Sequence, residues 1–243
     1  MCGPSEMNAA RGSSHGWCCA GTATVSPVRI GVLGATGPAG SGLAARLAAN
    51  GFDVVIGSRS RYRAMEVRDH LVERWAEHRL CIDASDNIGA AHADVVVIAT
   101  PWDAATSTAL QVADQLKGKL VISMCNALAR VGPEFQPLVP PRGSVAANIQ
   151  AAVPKSRVAA AFHHVPAKEL GDLNEPVESD VLVCSDFRSA VDATAEIVAA
   201  LPALRPLDAG QLSNAAPIEA FAAVLLQLNI RYKTRAAVKF TGI

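Results

Sequence analysis

Residues 28–60, "VRIGVLGATGPAGSGLAARLAANGFDVVIGSRS", decide the fold. A short apolar run ends in a glycine-rich turn, an alanine- and leucine-rich segment follows, and a second apolar run stops at Gly57. That order reads as strand, turn, helix, strand. Gly34, Gly37 and Gly40 form G-x-x-G-x-x-G where the first strand ends. There the backbone must turn sharply, approach a pyrophosphate closely and then let the helix pack on the strand. Ala35 replaces a glycine of the commoner G-x-G-x-x-G spacing, so the motif is a variant, and a merely tight structural turn is the alternative. Its position, between a first strand and a first helix, favours dinucleotide binding.

Working outward, strand candidates at 28–33, 53–57, 94–99 and 119–123 alternate with helices near 38–50, 61–77 and 103–116. Parallel neighbours need crossover connections, so this alternation predicts a parallel sheet covered by helices on both faces. Residues 157–162 add a further strand. The four prolines of 133–145, "PEFQPLVPPRGSV", predict an irregular excursion. A strand at 180–184, the helical "SAVDATAEIVAAL", a strand at 204–207 and a long apolar helix over 215–232 complete the chain. The expected class is α/β: a Rossmann-type doubly wound parallel sheet in 28–180, then a small C-terminal α/β domain in 181–243 ending in a long helix.

Half of the 243 residues are apolar and only 5% aromatic, as a core of Ala, Val, Leu and Ile requires. Twenty-two basic residues balance 22 acidic ones without a long basic run, which argues against nucleic acid and membrane surfaces as partners. Residues 1–27 lack both a charged start and a continuous apolar stretch, so a flexible tail is expected there, or a start at Met7, and not a secretory signal. The six cysteines show no C-x-x-C pair, so neither a metal site nor a disulfide framework is indicated and the cytoplasm is the expected setting.

The end of the second strand ordinarily carries an acidic residue for the ribose 2′-hydroxyl of NAD. Here Ser58 and Arg59 stand instead, followed by Arg61 and Arg63. A hydroxyl donor and a planar cationic fork suit a 2′-phosphate, so NADP(H) is expected; a solvated basic helix start is the alternative. Thr100, Pro101 and Trp102 close "DVVVIA" at its carboxyl end, where open sheets place ligands, although Trp102 equally suits a plug at the sheet edge. In "AFHHVPA", residues 161–167, an extended backbone would send His163 and His164 to opposite faces, so one of them at most reaches a given pocket. His163 is the candidate, with a structural role as the alternative. Cys125 reads as a small apolar filler.

The pieces "GATGPAG", "GSRS" with Arg63, "TPW", "AFHHVPA", "LRPLDAGQLSNA" and "LNIRYKTRAAVKF" together resemble the NADPH-dependent oxidoreductases of the deazaflavin coenzyme F420. The resemblance covers nearly everything from Val28 onward, in order. It implies that Thr36, Gly37, Pro38 and Ala39 cradle the pyrophosphate beside Gly34, and that Ser58, Arg59 and Arg63 hold the 2′-phosphate. Thr100, Pro101, Asn126 and Ala167 would line the nicotinamide end, and His163 and Val165 would lie by the deazaflavin. Leu212, Ser213 and Asn214 would help close that pocket in a homodimer or homotetramer whose ligands are small-molecule cofactors only. Ser185 departs from the family's usual glycine after the cysteine of "VLVCSD", which puts the geometry of that turn in question. Hydride transfer between NADP(H) and the deazaflavin is the implied activity. A small imine or keto-acid reductase and a non-catalytic NADPH sensor are the competing readings.

Overall fold

The computed structural model describes residues 28–243; the expected tail at 1–27 lies outside the described residues. The chain runs β1 (Arg29–Leu33), α1 (Pro38–Ala49), β2 (Asp53–Ser58), α2 (Arg61–Arg74), β3 (Ile82–Asp86), α3 (Asn87–Ala90), β4 (Val95–Ile98), α4 (Trp102–Gln111), α5 (Ala113–Leu116) and β5 (Leu120–Ser123). It continues through β6 (Leu128–Val131), β7 (Glu134–Pro137), α6 (Val145–Ala152), β8 (Arg157–Ala160), α7 (Ala167–Leu170), β9 (Ser179–Val183), α8 (Arg188–Ala199), β10 (Leu204–Asp208) and α9 (Ala215–Tyr232). Six strands form one parallel sheet in the order β3-β2-β1-β4-β5-β8. This is the Rossmann-type doubly wound sheet, with its switch point between β1 and β4. The parallel pair β9 and β10 joins it through a single antiparallel bridge from Ala160 to Cys184.

The central strands read "RIGVL", "DVVIGS", "VVVI" and "LVIS" and are buried almost throughout, as strands covered on both faces must be. One apolar cluster, containing Ile30, Leu43, Ile56 and Ile122, also takes in Val181, Val183 and Ile197 beyond residue 180. The other fills the opposite face with Leu33, Ile98, Leu116 and Ile149. No helix among the described residues is long and apolar enough to cross a membrane.

Three elements differ from the sequence reading. β3 is an edge strand in which only Ile82 is buried, so "IDASD" lacks the apolar alternation that marks a strand. Residues 128–137 form a hairpin, not an irregular excursion: Val131 pairs with Glu134 across a turn of Gly132 (φ +60°) and Pro133. Its prolines sit in the turn and at the last strand position, where a missing N–H is tolerated. Third, β8 stops at Ala160, and "FHHV" is a turn with Phe162 at φ +65°, so the histidines do not alternate as they would on extended backbone.

The turn at Ser185 needs no glycine. Its φ is not in the left-handed region, and its hydroxyl donates to Val158 O at 2.6 Å while accepting from Phe187 N at 3.2 Å.

Helix α1 packs by backbone proximity. A Cβ on Gly40 would lie 2.8 Å from Ala35 Cα, and one on Gly42 would lie 2.9 Å from Gly171 N and 3.0 Å from Gly171 Cα. Further along, the buried Arg46 guanidinium donates to the carbonyls of Glu169 (2.8 Å), Leu170 (2.9 Å), Glu175 (3.1 Å) and Asp172. Gly42→Ala should therefore destabilise the protein by roughly 1–3 kcal/mol although alanine is the better helix former, because the obstacle is backbone that cannot rotate away. Urea unfolding compared with Ser41→Ala, expected within about 0.5 kcal/mol of the parent, checks this.

Candidate functional site

A cleft of about 830 Å³ opens over the carboxyl ends of β1, β2 and β4, at the switch point. Its volume falls within the roughly 300–1,000 Å³ usual for ligand pockets. The loop from Gly34 to Ala39 forms one wall. Gly34 takes φ +79°, and a Cβ there would strike Thr100 at 2.6–2.8 Å, so only glycine turns the chain at this point. At Gly37 a Cβ would meet nothing closer than Gly34 O at 3.9 Å. That side is open for a ligand's approach.

Helix α1 begins at Pro38 with no side-chain cap and no acidic residue in its first turn. By contrast, Ser60 caps α2 and Ser144 caps α6. The first amides of α1 are left facing the cleft with the positive end of the helix dipole, a ready seat for an anion.

The second wall is Ser58, Arg59, Ser60 and Arg63. Ser58 is buried and its Oγ accepts from Ser60 N at 3.4 Å, which leaves the hydroxyl proton to donate. Arg59 has no carboxylate partner among the described residues, and Arg63 holds only the exposed Glu66 at 3.1 Å, a pair that contributes little in water. Asn87, Asp103 and Thr108 also border the cleft. Nothing in the sequence pattern marked them, because Asn87 follows the unrecognised β3 and the other two lie on a face of α4 that resembles any solvated helix.

Thr100 and Pro101 line the far end of the cleft. Trp102 borders neither hollow; it opens α4 and packs partly buried against the apolar cluster beneath. Cys125 is buried with its thiol directed at Ile98 O (3.3 Å) and Thr100 O (3.2 Å), and burial pushes its pKa up to about 12. It is filler and not a nucleophile.

A second hollow of about 150 Å³ abuts the first, with Ala39 on both walls. Asn126, Phe162, His163, His164, Val165 and Ala167 border it on one side and α9 on the other, through Ala222, Leu225, Leu226 and Asn229. Asn126 and Ala167 thus sit with His163 and Val165, and apart from Thr100 and Pro101. Asn126 Nδ2 donates to His163 O at 2.8 Å, holding the turn. Leu212, Ser213 and Asn214 border neither hollow; they form the short 3₁₀ turn into α9, where Leu212 N donates to Asp186 and Asn214 Nδ2 to Ala209 O.

Both histidines are buried. His164 Nε2 pairs with Asp180 O at 2.7 Å, and burial keeps its pKa below the ordinary value. The His163 side chain is fully covered, and burial, then the neighbouring His164, lowers it to about 3. Its Nε2 lies 3.9 Å from Oε1 of Glu219, a buried carboxyl on α9 that the sequence reading passed over. Glu219 accepts Val145 N at 2.8 Å and Ala146 N at 3.1 Å on the first turn of α6. Burial raises it to about 7, opposed by those two amides. A lone Glu in "APIEAFAAVLL" marks a polar interruption of an apolar helix, the one signal that could have found it.

A family model described as "NADP oxidoreductase coenzyme F420-dependent" matches residues 29–127. The chain is 36% identical over 222 residues to the F420-dependent NADP reductase of Methanocaldococcus jannaschii, covering 89% of this chain and 97% of that protein. A second, from Methanothermobacter thermautotrophicus, is 33% identical over 225 residues and covers 90% and 97%. The chain belongs to the F420-dependent NADP reductase family. A solved structure described as a putative F420-dependent NADP reductase from Arthrobacter sp. FB24 shares the fold at TM-score 0.72, covering 87% of this chain and 99% of its own at 23% identity. As a member of this family, the chain is an NADP(H)-dependent oxidoreductase.

His163 and Glu219 impose opposed pH dependences on stability. Between about pH 4.5 and 6.5 the unfolded chain carries a proton on His163 and the folded chain carries one on Glu219, so the counts match and the pair gives no slope. Glu219→Gln leaves the depressed histidine alone, whose stabilisation is lost as pH falls; stability relative to the parent should rise with pH from 4.5 to 6.5 by up to about 1.4 kcal/mol per unit. His163→Gln leaves the raised carboxyl, whose stabilisation is lost as pH rises, and should tilt the other way up to about pH 7. Urea midpoints of the three proteins at pH 5, 6 and 7 measure both slopes.

Proposed function

We propose that this chain transfers hydride between NADP(H), held in the 830 Å³ cleft, and the deazaflavin of coenzyme F420, seated over the smaller hollow. The observation that carries the reading is the pairing of two anion seats in one cleft: the uncapped start of α1 for a pyrophosphate, and Ser58, Arg59 and Arg63 for a 2′-phosphate. The second ligand's identity rests on the names of the relatives, which are F420-dependent NADP reductases.

When bound, the nicotinamide supplies or accepts a hydride and the deazaflavin does the reverse, without metal or covalent attachment. The protein's part is alignment and exclusion of water. Ala39, common to both walls, is where the two rings would meet. The smaller hollow is below the size of most ligand pockets, so its lining residues would contact only part of a tricyclic ring. His163 is neutral and covered, which favours shaping and orienting the wall over giving up a proton. In this reading residues 28–180 carry the NADP site, and residues 181–243 contribute α9 to the deazaflavin side.

Mixing the protein with NADPH and oxidised deazaflavin should bleach the deazaflavin absorbance; binding without turnover would point to a sensor instead. Arg59→Ala should weaken NADPH roughly tenfold to a hundredfold and leave NADH nearly unchanged, since a charge-assisted hydrogen bond contributes about 1.5–3 kcal/mol and only NADPH has the phosphate. Equal losses for both nucleotides would reject the assignment.

The reading includes a homo-oligomer built on α9. Phe221, Val224 and Leu228 recur at spacings of three and four on its outer face and stay exposed, as do Val131 and Val139 of the neighbouring hairpin region. Two copies would bury this stripe. Light scattering at micromolar concentration should report a dimer or tetramer, and Val224→Glu with Leu228→Glu should yield monomer.

A further inference from the structure

The turn that carries His163 leaves one requirement open. A neutral imidazole always bears one N–H, and a buried donor without an acceptor is costly. His163 is fully covered, and neither ring nitrogen has a partner. The acceptor within reach is Glu219 Oε1, 3.9 Å from Nε2. That oxygen already takes the Ala146 amide at 3.1 Å, but a carboxylate oxygen has a second lone pair, and a shift of about 1 Å brings the two groups to hydrogen-bond distance.

We propose that Glu219 is a positioning residue for His163, taking its Nε2–H and so fixing the tautomer in which Nδ1 is the bare acceptor. The carboxylate is itself held in place, because its oxygens are seated on the two opening amides of α6. It therefore ties three elements together: α9, which walls the smaller hollow through Ala222, Leu225 and Leu226; α6; and the histidine turn. A ligand edge pressing on α9 is felt at the histidine through this one side chain.

The neighbouring ionisable groups do not compete. The thiols of Cys125 and Cys184, just beyond the ends of β5 and β9, are pushed up to about 12 by burial and then by the charge of Glu219, and stay protonated. His164, on the same turn, is engaged with Asp180 O. Asp186 and Asp208 raise the Cys184 thiol further.

The inference rests on the deazaflavin reading above for its consequence in catalysis, but its first test does not. Nitrogen-15 imidazole spectra of the ligand-free protein should show His163 as a single Nε2–H tautomer at pH 8, above the value of about 7 to which burial raises Glu219, where that group is a carboxylate. Glu219→Met, which keeps the length and removes the acceptor, should give mixed tautomers; Glu219→Gln, which keeps one acceptor oxygen, should retain part of the parent signal and serves if the methionine variant does not fold. In single-turnover deazaflavin reduction, Glu219→Met should lower the rate about tenfold and flatten its dependence on pH near 7, with the NADPH dissociation constant within twofold of the parent. An unchanged tautomer in both variants, or a changed tautomer with an unchanged rate, overturns the proposal. A parent protein that does not reduce deazaflavin would remove the proposed function while leaving the tautomer result intact.

Discussion

The constraint on which the rest depends is the close seating of α1 against β1 and α7. Gly40 lets the helix approach Ala35, Gly42 lets it approach Gly171, and Arg46 gathers four carbonyls from α7 and the segment after it. With the helix fixed at both ends, its first turn points into the larger cleft and its flank sets the position of the segment that follows the histidine turn. One helix thereby registers two hollows against each other, with Ala39 between them. Burying a guanidinium is costly unless its donors are satisfied, and burial does lower the Arg46 pKa; four carbonyl acceptors are what make that position tenable.

The two hollows differ in their electrostatics, and the difference follows from local sequence. The larger is rimmed by uncapped amides, a hydroxyl and two exposed guanidinium groups, none of which needs a ligand to remain soluble. The smaller has apolar walls and two histidines kept neutral by burial. Cationic rim and neutral wall are thus separated by the width of one alanine.

Much of this was legible in the chain. The strand, turn, helix, strand order of 28–60 carries its own periodicity and punctuation, so the parallel sheet and the residues that rim the larger cleft were legible there. What escaped had weak local signals. β3 is an edge strand with a single buried residue, and the 128–137 hairpin places its prolines where strands tolerate them. The turn at Phe162 inverts the rule of alternation: a non-glycine residue at φ +65° is set by tertiary packing and has no marker in "AFHHVPA". Glu219 was missed because its bonded partners lie 73 and 74 residues away, which no local pattern encodes, and Asn87 because it follows the unrecognised β3.

Glu219 illustrates why such residues persist in an apolar helix. A buried carboxyl is costly unless its oxygens are hydrogen-bonded, so its presence in an apolar helix calls for partners. Here its oxygens cap α6, whose first two amides lie beyond the reach of Ser144, which serves the third. Removing it would leave the two buried amides of Val145 and Ala146 unsatisfied. The proton balance has the same logic: burial takes a proton from His163 and gives one to Glu219, so the pair's net charge is unchanged across the mildly acidic range. Across that range the buried pair stays uncharged in the folded chain, and the carboxyl ionises only near pH 7.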